Sequence, residues 1–458
     1  MTATNFSSLF LSAEMLSNLE SLGYNEMTPI QAQSLPIILQ GQDIIAKAKT
    51  GSGKTAAFGI GLLAQLDVKK FAIQSLVLCP TRELADQVAK EIRRIARATH
   101  NVKVLTLCGG VSIGPQLGSL EHGAHIIVGT PGRIVDHIEK GSLKLENVKQ
   151  LVLDEADRML DMGFADALKV VLDACPSERQ TLLFSATYPD EIKKISAHCQ
   201  KNPQEIHVES VHSDAHIEQH FYELREGDQK DVAVQKLLAH FKPQSSIVFC
   251  NTKIQCQEVC DLLRAQRINA LALHGDLEQK ERDQVLVRFA NRSCSVLIAT
   301  DVAARGIDVK GLDAVINVEL AHDSEVHVHR IGRTGRAGEN GLALSLIAPK
   351  ELGRLNRLED YLQKPITLEN LPENDGNIGI MPEMVTLHID GGKKDKVRPG
   401  DIIGALTKEA GLEFEKIGKI DIFEFSAYVA VHQSIAKQAL QHLQDGKIKG
   451  RKFRARKL

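Results

Sequence analysis

The sequence predicts an α/β protein made of two parallel-sheet domains in tandem, followed by a small α+β domain. Three observations predict it. At 458 residues the chain exceeds what one hydrophobic core organises and points to about three domains. Short, continuous apolar runs alternate with helical patterns through the first 365 residues. Continuous runs mark strands buried on both faces, as in parallel sheets covered by helices. From Val385 the pattern changes to an alternation of apolar and polar residues, the mark of a strand with one covered face.

The strand candidates of the first domain are Asp43–Ala46, Ser75–Cys79, Ala124–Val128, Leu151–Leu153 and Thr181–Phe184. The rhythm resumes after Phe241 with Ile247–Cys250, Val296–Ala299 and Ala314–Asn317. A polar stretch around Val211–Ala215 separates the two sets, and a stretch with Pro, Asn, Asp and Gly precedes the third domain. The expected division is 1–210, 216–366, a linker over 367–382, and 383–458.

Composition excludes several classes. Hydrophobic residues at 43% and charged residues at 25% are ordinary for a soluble globular chain. No apolar run approaches the roughly 20 residues needed to span a bilayer, and Met1–Phe10 lacks the layout of a secretory signal. A cytoplasmic protein is expected, with no membrane partner and no evident obligate protein partner. The eight cysteines are scattered without a CxxC pair, so reduced, buried thiols are expected rather than a metal cluster or disulfides. The net charge of -2 hides an asymmetry. Residues 381–458 carry fifteen Lys/Arg against ten Asp/Glu, and the last twelve residues hold seven basic side chains and no acid. Localised positive charge of this kind is an electrostatic footprint for phosphate.

The residues that carry chemistry fall into three groups. Ala48-Lys-Thr-Gly-Ser-Gly-Lys-Thr55 follows a strand and opens a helix. Thr50, Gly51, Ser52 and Gly53 let backbone N–H groups wrap a phosphate chain at a helix N-terminus. Lys54 would reach the terminal phosphates and Thr55 would ligate Mg²⁺. Ala48 stands where the general P-loop has Gly. The second group is Asp154-Glu-Ala-Asp157, directly after Leu151–Leu153. A carboxylate ending a buried strand needs a compensating metal or partner. Asp154 is expected to hold Mg²⁺ partly through water, and Glu155 to polarise the attacking water. The third group, His329-Arg-Ile-Gly-Arg-Thr-Gly-Arg336, spaces arginines three apart among glycines in the second sheet domain. Such arginines, delivered from a second body, stabilise charge on a transferring phosphoryl group.

With these residues in view the sequence resembles a DEAD-box RNA helicase over nearly its whole length. Phe6 and Gly23–Gln31 are similar to the family's adenine-reading Q motif, which implies that Gln31 meets the adenine edge and Phe6 packs near the base. Pro80–Ala85 with Arg82, Gly109–Gly110, and Thr130–Arg133 with Thr130 and Arg133 match RNA-facing motifs. Ser185-Ala-Thr187, read together with Asp157, matches the element that links hydrolysis to strand separation. Asn251-Thr252 after Ile247–Cys250 resembles motif IV, and Gln279-x-x-Arg282 fits as well. Ala299–Asp308 matches motif V, where Thr300 would touch RNA phosphate and Asp308 the ribose of ATP. The resemblance assigns the finger role to Arg333 and Arg336. It implies two RecA-like domains, ATP and Mg²⁺ as cofactors, and an RNA partner held mainly by its backbone.

The terminal domain reads as βαββαβ: Val385–Asp390, a helix over Asp401–Ala410, strands Ile417–Ile422 and Ala427–His432, a helix over Ser434–Leu443, and a closing strand Lys452–Arg456. That order is the order of an RNA-recognition motif (RRM), though many ferredoxin-like folds share it. If Val385, Leu387 and Ile389 face the helices, then Thr386, His388 and Tyr428 lie on the open sheet face. That face is poor in stacking aromatics, so RNA contact is expected through loops and basic edges: Lys393, Lys394, Lys452, Arg454 and Arg456. The wording of the segment, Ile389–Lys396, Gly418–Asp421 and Lys449–Arg454, resembles the terminal domain of the DbpA-type branch of the family. This implies docking on a 23S rRNA hairpin during large-subunit assembly. Two other readings fit the same residues: an ATP-switched RNA clamp without turnover, and a DNA translocase.

Overall fold

The computed structural model describes residues 5–47, 52–208, 217–304, 311–335, 341–373 and 380–458. Thr50, Gly51, Asp308 and Arg336, the stretch around Val211–Ala215 and part of the second expected linker lie outside the described residues. The chain divides into two compact units, Met1–Val211 and His212–Leu458.

The first unit is built on seven strands: β1 (Ile44–Lys47), β2 (Ser75–Leu78), β3 (Val104–Leu107), β4 (Ile126–Gly129), β5 (Gln150–Asp154), β6 (Gln180–Ser185) and β7 (Gln204–His207). Their order is β3-β4-β2-β5-β6-β1-β7, with every pair parallel. Parallel neighbours need crossover connections, and helices supply them on both faces. The continuous apolar runs are resolved by that arrangement. Along β2 and β5, Val77 and Val152 enter one core layer, while Leu76, Leu78, Leu151 and Leu153 enter the other. Each such fully buried side chain contributes about 1.5–3 kcal/mol. Close approach of the helices Pro29–Leu39 and Lys54–Ala64 depends on Gly61, where a Cβ would lie 2.3 Å from Ile38 Cγ2.

The second unit repeats the plan with β8 (Ile217–Glu223), β9 (Ser246–Cys250), β10 (Ala270–Leu273), β11 (Val296–Thr300), β12 (Ala314–Asn317), β13 (Gly341–Ile347) and β14 (Leu368–Asn370). The order is β10-β11-β9-β12-β13-β8-β14, again parallel throughout. Val248 and Cys250 face one layer, Ile247 and Phe249 the other. One difference from the sequence reading concerns 367–382. It contains β14, which pairs with β8, and Ile380 is buried in the core of this sheet. Thr367–Asn370 carries a single apolar side chain, enough for an edge strand but too little to announce one.

The small domain follows in the same unit: β15 (Met384–Ile389), β16 (Ile417–Ile422), β17 (Ala427–His432) and β18 (Ala455–Lys457), antiparallel in the order β16-β17-β15-β18. Its two helices, Pro399–Gly404 (prolonged as a π-turn through Glu409) and Ala436–Asp445, cover one face. The closing strand is shorter than expected, because a tight turn bridging Ile448 and Arg451 delays pairing until Ala455.

The other face brings a correction. Thr386, His388, Tyr428 and Ala430 do point away from the helices, yet all are at most 2% exposed. Thr386 Oγ1 lies 2.6 Å from Ser293 Oγ and accepts from Asn291 Nδ2 at 3.3 Å. Both partners follow the helix Gln279–Ala290 of the preceding sheet domain. The face is therefore occupied, not open. Burial lowers the His388 pKa, with Arg456 adding to the effect and Asp390 opposing it.

Candidate active site and RNA-facing surfaces

The expected phosphate loop ends at Gly53, which opens the helix Lys54–Ala64 and whose φ of +94° suits glycine. A Cβ there would sit 2.6 Å from Gln31 Nε2 and 2.8 Å from Thr28 Oγ1, so the residue is glycine for space as well as for backbone. Gln31 Nε2 donates to Gly53 O at 3.1 Å, and its Oε1 accepts from Thr28 N–H at 2.9 Å as part of a capping box. Gln31 thus ties the helix Pro29–Leu39 to the phosphate loop, with one N–H and one lone pair beyond those bonds. Phe6 is buried in the core of this unit, edge-on to Tyr24 at 6.2 Å.

Opposite the loop, Asp154 closes β5 and is fully buried. Lys54 Nζ lies 2.7 Å from Asp154 Oδ1 and 3.6 Å from Glu155 Oε1. Burial works against the Lys54 charge, but attraction to Asp154 and then Glu155 wins and raises its pKa. Burial pushes the Asp154 carboxyl above its ordinary value, opposed by Lys54. Asp154 Oδ2 and Ser52 Oγ are buried without a hydrogen-bond partner among the described residues. A buried anionic oxygen in that state calls for a cation. Together with the Thr55 hydroxyl, on the first turn of the helix, it would make an oxygen-only donor set that fits Mg²⁺. Glu155 adopts φ 55°, ψ 53°, a left-handed conformation uncommon for a non-glycine residue. The bend turns the chain sharply from β5 into the helix Ala156–Asp161.

That helix carries Asp157 inward. Asp157 Oδ2 accepts from Thr187 N–H at 3.0 Å and Thr187 Oγ1–H at 3.1 Å. Ser185 Oγ accepts from Asp157 N–H at 3.3 Å and donates to Thr187 O at 2.6 Å. All three residues expected to couple hydrolysis to strand separation form one hydrogen-bonded knot, beside the carboxylates.

The expected RNA-facing residues of this unit sit at strand ends. Thr130 caps the helix Pro131–Glu139 and accepts from Gly109 N–H at 3.4 Å. Arg133 donates to Val111 O at 2.9 Å, Gln116 Oε1 at 3.0 Å and Asp136 Oδ2 at 3.1 Å, pinning the loop that holds Gly110 at φ 77°. Arg82 opens the helix Arg82–Ile95 behind its Thr81 cap.

In the second unit Thr300 ends β11 and is half-buried. Arg282 Nη2 donates to Ala303 O at 2.7 Å, bracing the segment that follows it. Arg333 lies just past the helix Ser324–Ile331 and is half-buried. The residue that sequence reasoning missed is Arg330. Only 2% exposed, it gives Asp301 a bidentate pair at 2.7 Å and donates to Asn251 Oδ1 at 2.7 Å, Asn317 Oδ1 at 3.2 Å and Glu319 O at 2.8 Å. Its guanidinium also lies 5.2 Å from the Phe249 ring centroid. Arg330 therefore welds the elements that resemble motifs IV, V and VI. Its signal was present in the spacing His327, Arg330, Ile331, the buried stripe of a short helix.

In the small domain, Lys452, Arg454 and Arg456 line a cavity of about 510 Å³ with Asp390, Gln444 and Phe453. Lys393 and Lys394 lie on the loop next to it, where a Cβ on Gly391 would press on the Phe453 ring at 2.4 Å. The loop that carries Lys393 and Lys394 thus packs against the segment that carries Lys452 and Arg454.

Comparison with known proteins agrees with this geometry. The DEAD/DEAH box helicase family model matches residues 28–195, the helicase conserved C-terminal domain 229–338, and the DbpA RNA binding domain 386–457. The chain is 55% identical to the ATP-dependent RNA helicase DbpA of Escherichia coli K12 over 456 residues, covering 99% of this chain and 100% of that one. It is 43% identical to the DEAD-box ATP-dependent RNA helicase CshA of Geobacillus kaustophilus over 82% of each chain. Among solved structures it is similar to Saccharomyces cerevisiae Dbp5 bound to RNA and ADP BeF3, with a TM-score of 0.72 and 30% identity, over 81% of this chain and 97% of that one. These matches make this chain a member of the DEAD-box family of ATP-dependent RNA helicases, of the DbpA type.

Proposed function

We propose that this helicase acts in the cytoplasm on precursors of the large ribosomal subunit, anchored by its terminal domain to a 23S rRNA hairpin while the paired sheet domains remodel nearby duplex. The division of labour follows 1–210, 216–366 and 383–458. Lys54, with the loop residues Thr50 to Gly53, binds the phosphates of ATP; Gln31 hydrogen-bonds the adenine edge, Phe6 packs near the base and Asp308 touches the ribose. Thr55 and Asp154 would hold Mg²⁺, which supplies charge neutralisation at the phosphates. Glu155 orients the water that attacks the terminal phosphoryl group. Arg333 and Arg336 meet the charge that develops there when RNA, held by Arg82, Gly110, Thr130, Arg133 and Thr300, brings the two sheet domains together. The knot of Asp157, Ser185 and Thr187 transmits the state of the carboxylates to the RNA path.

The observation that carries this reading is that one short segment both pairs Asp154 and Glu155 with Lys54 and bonds Asp157 to Thr187, an arrangement for which a binding clamp without turnover has no need. The anchor raises the effective concentration of duplex at a motor that reads little sequence. The test is ATP turnover against a panel of equal-length structured RNAs and a matched DNA duplex, with 23S rRNA included. Selective stimulation by 23S rRNA is expected. Equal stimulation by all RNAs would refute the rRNA anchor, and stimulation by DNA would favour a translocase.

A further inference from the structure

We propose that Phe425 is a base-stacking residue, on which an unpaired nucleobase of the bound RNA lies while neighbouring lysines hold the flanking phosphates. The inference rests on the reading that the terminal domain binds RNA, and it deepens that reading.

Domains of this strand order ordinarily stack bases on aromatic side chains of the outer sheet face. Here that face is sealed. Thr386 is bonded to Ser293 and Asn291, and Tyr428 is 2% exposed, with the His388 ring at 5.0 Å and the Phe423 ring edge-on at 5.3 Å. Stacking must then move elsewhere, or be absent. Two phenylalanines of the domain stand largely in solvent, Phe425 at 69% and Phe414 at 60%. An exposed phenyl ring returns little to folding, since its apolar surface stays in water.

The surroundings separate the two. Phe414 stands between Glu413, paired with Lys416 Nζ at 2.8 Å, and Glu415, an acid that repels a phosphate chain. Phe425 sits in the turn joining β16 to β17, and a basic loop is sewn to that turn. Lys393 N–H donates to Phe423 O at 2.9 Å and Lys394 N–H to Glu424 O at 3.0 Å. Gly392 allows the approach: a Cβ there would lie 2.5 Å from Phe423 O and 2.6 Å from Glu424 O. The neighbouring carboxylate of Glu424 is engaged by Lys394 Nζ at 3.4 Å. Lys449 Nζ donates to Lys396 O at 3.2 Å, which joins the basic tail to the same loop. An exposed aromatic ring on a turn bonded to the Lys393–Lys394 loop, which Lys449 also joins, combines the π-face and the positive charge that single-stranded RNA requires. An unpaired base fits it; a base stacked inside a duplex has no free face.

The sequence contains no tryptophan, so Phe425→Trp creates a fluorophore that reports this position alone. With the full-length protein and in vitro transcribed 23S rRNA, the emission of Phe425→Trp should fall on RNA addition. The rRNA concentration for half-maximal ATPase stimulation should rise about tenfold in Phe425→Ala and return to within about twofold of wild type in Phe425→Tyr. Phe414→Ala should leave it unchanged. An unaltered half-maximal concentration in Phe425→Ala, with Phe425→Trp emission unmoved at saturating rRNA, would overturn the proposal. In that event Lys393→Glu with Lys452→Glu tells which premise failed. A rise in that variant alone leaves RNA binding by the domain standing and removes the stacking; no rise removes both.

Discussion

Replacing Arg330 with Met should loosen the second sheet domain far more than its position near Arg333 suggests. Methionine matches the length of the arginine stem but leaves every polar partner behind. Asp301 loses both of its 2.7 Å bonds, and Asn251 Oδ1, Asn317 Oδ1 and Glu319 O each lose a donor. Breaking a buried ion pair from one side costs about 3–5 kcal/mol. The Asp301 side chain keeps 27% exposure, so water can recover part of its loss, which argues for the lower half of that range. The three other acceptors add further loss, and about 4 kcal/mol is the expected total. Amide hydrogen exchange read by mass spectrometry on peptides covering β9, β11 and β12 measures it locally. Protection should drop roughly a thousandfold, while β2 and β5 of the other unit keep theirs. Adding Asp301→Leu should recover part of the loss, because the uncompensated charge is then gone. If β12 protection in Arg330→Met stayed within about tenfold of wild type, the hub role drawn from those five bonds would be wrong.

Three other perturbations address the chemistry and the core. Glu155→Gln should keep nucleotide and RNA binding and lower turnover by about 10²–10⁴-fold, read from steady-state ATPase beside nucleotide affinity; near-normal turnover would remove Glu155 from the water-orienting role. Thr187→Val deletes one hydroxyl donor to the Asp157 carboxylate, worth about 1.5–3 kcal/mol, and spares the backbone donor. Duplex separation per ATP consumed should fall about tenfold while hydrolysis stays within about threefold, and equal losses in both would contradict a coupling role. His327 is buried against Phe221, and burial, reinforced by Arg330, lowers its pKa from 6.5 to about 4. The unfolded chain therefore binds the extra proton between those values: the neutral ring's full contribution holds above about pH 6.5 and is lost progressively as pH falls towards 4. The loss amounts to about 3 kcal/mol in the second sheet domain. His327→Leu should flatten that acid limb in exchange-derived stabilities, and an unchanged slope would exclude the histidine.

Much of this molecule could be read in advance because its site is assembled from short stretches at the ends of buried strands. Leu151–Leu153 running into Asp154 and Glu155 announces both the strand and the unusual carboxylates at its crest, and Lys54 opening a helix announces their partner. What stayed hidden depends on contacts between distant segments. Thr386 and His388 alternate with apolar neighbours as solvent-facing residues do, and nothing local marks Ser293 and Asn291, more than ninety residues earlier, as what covers them. Spacing alone groups Arg330 with Arg333, although one faces the core and the other lies beyond the helix end. The edge strand β14 reads as linker because an edge strand needs little apolar surface.

We propose that ATP held by Lys54 and the Asp154–Glu155 pair is hydrolysed through arginines supplied by the other sheet domain once RNA is bound. The most direct test is single-turnover ATP hydrolysis by Arg333→Ala at saturating 23S rRNA, with nucleotide and RNA affinities measured alongside. A fall in rate of about 10³-fold or more, at affinities within a few-fold of wild type, is predicted. A rate within tenfold of wild type would contradict the claim.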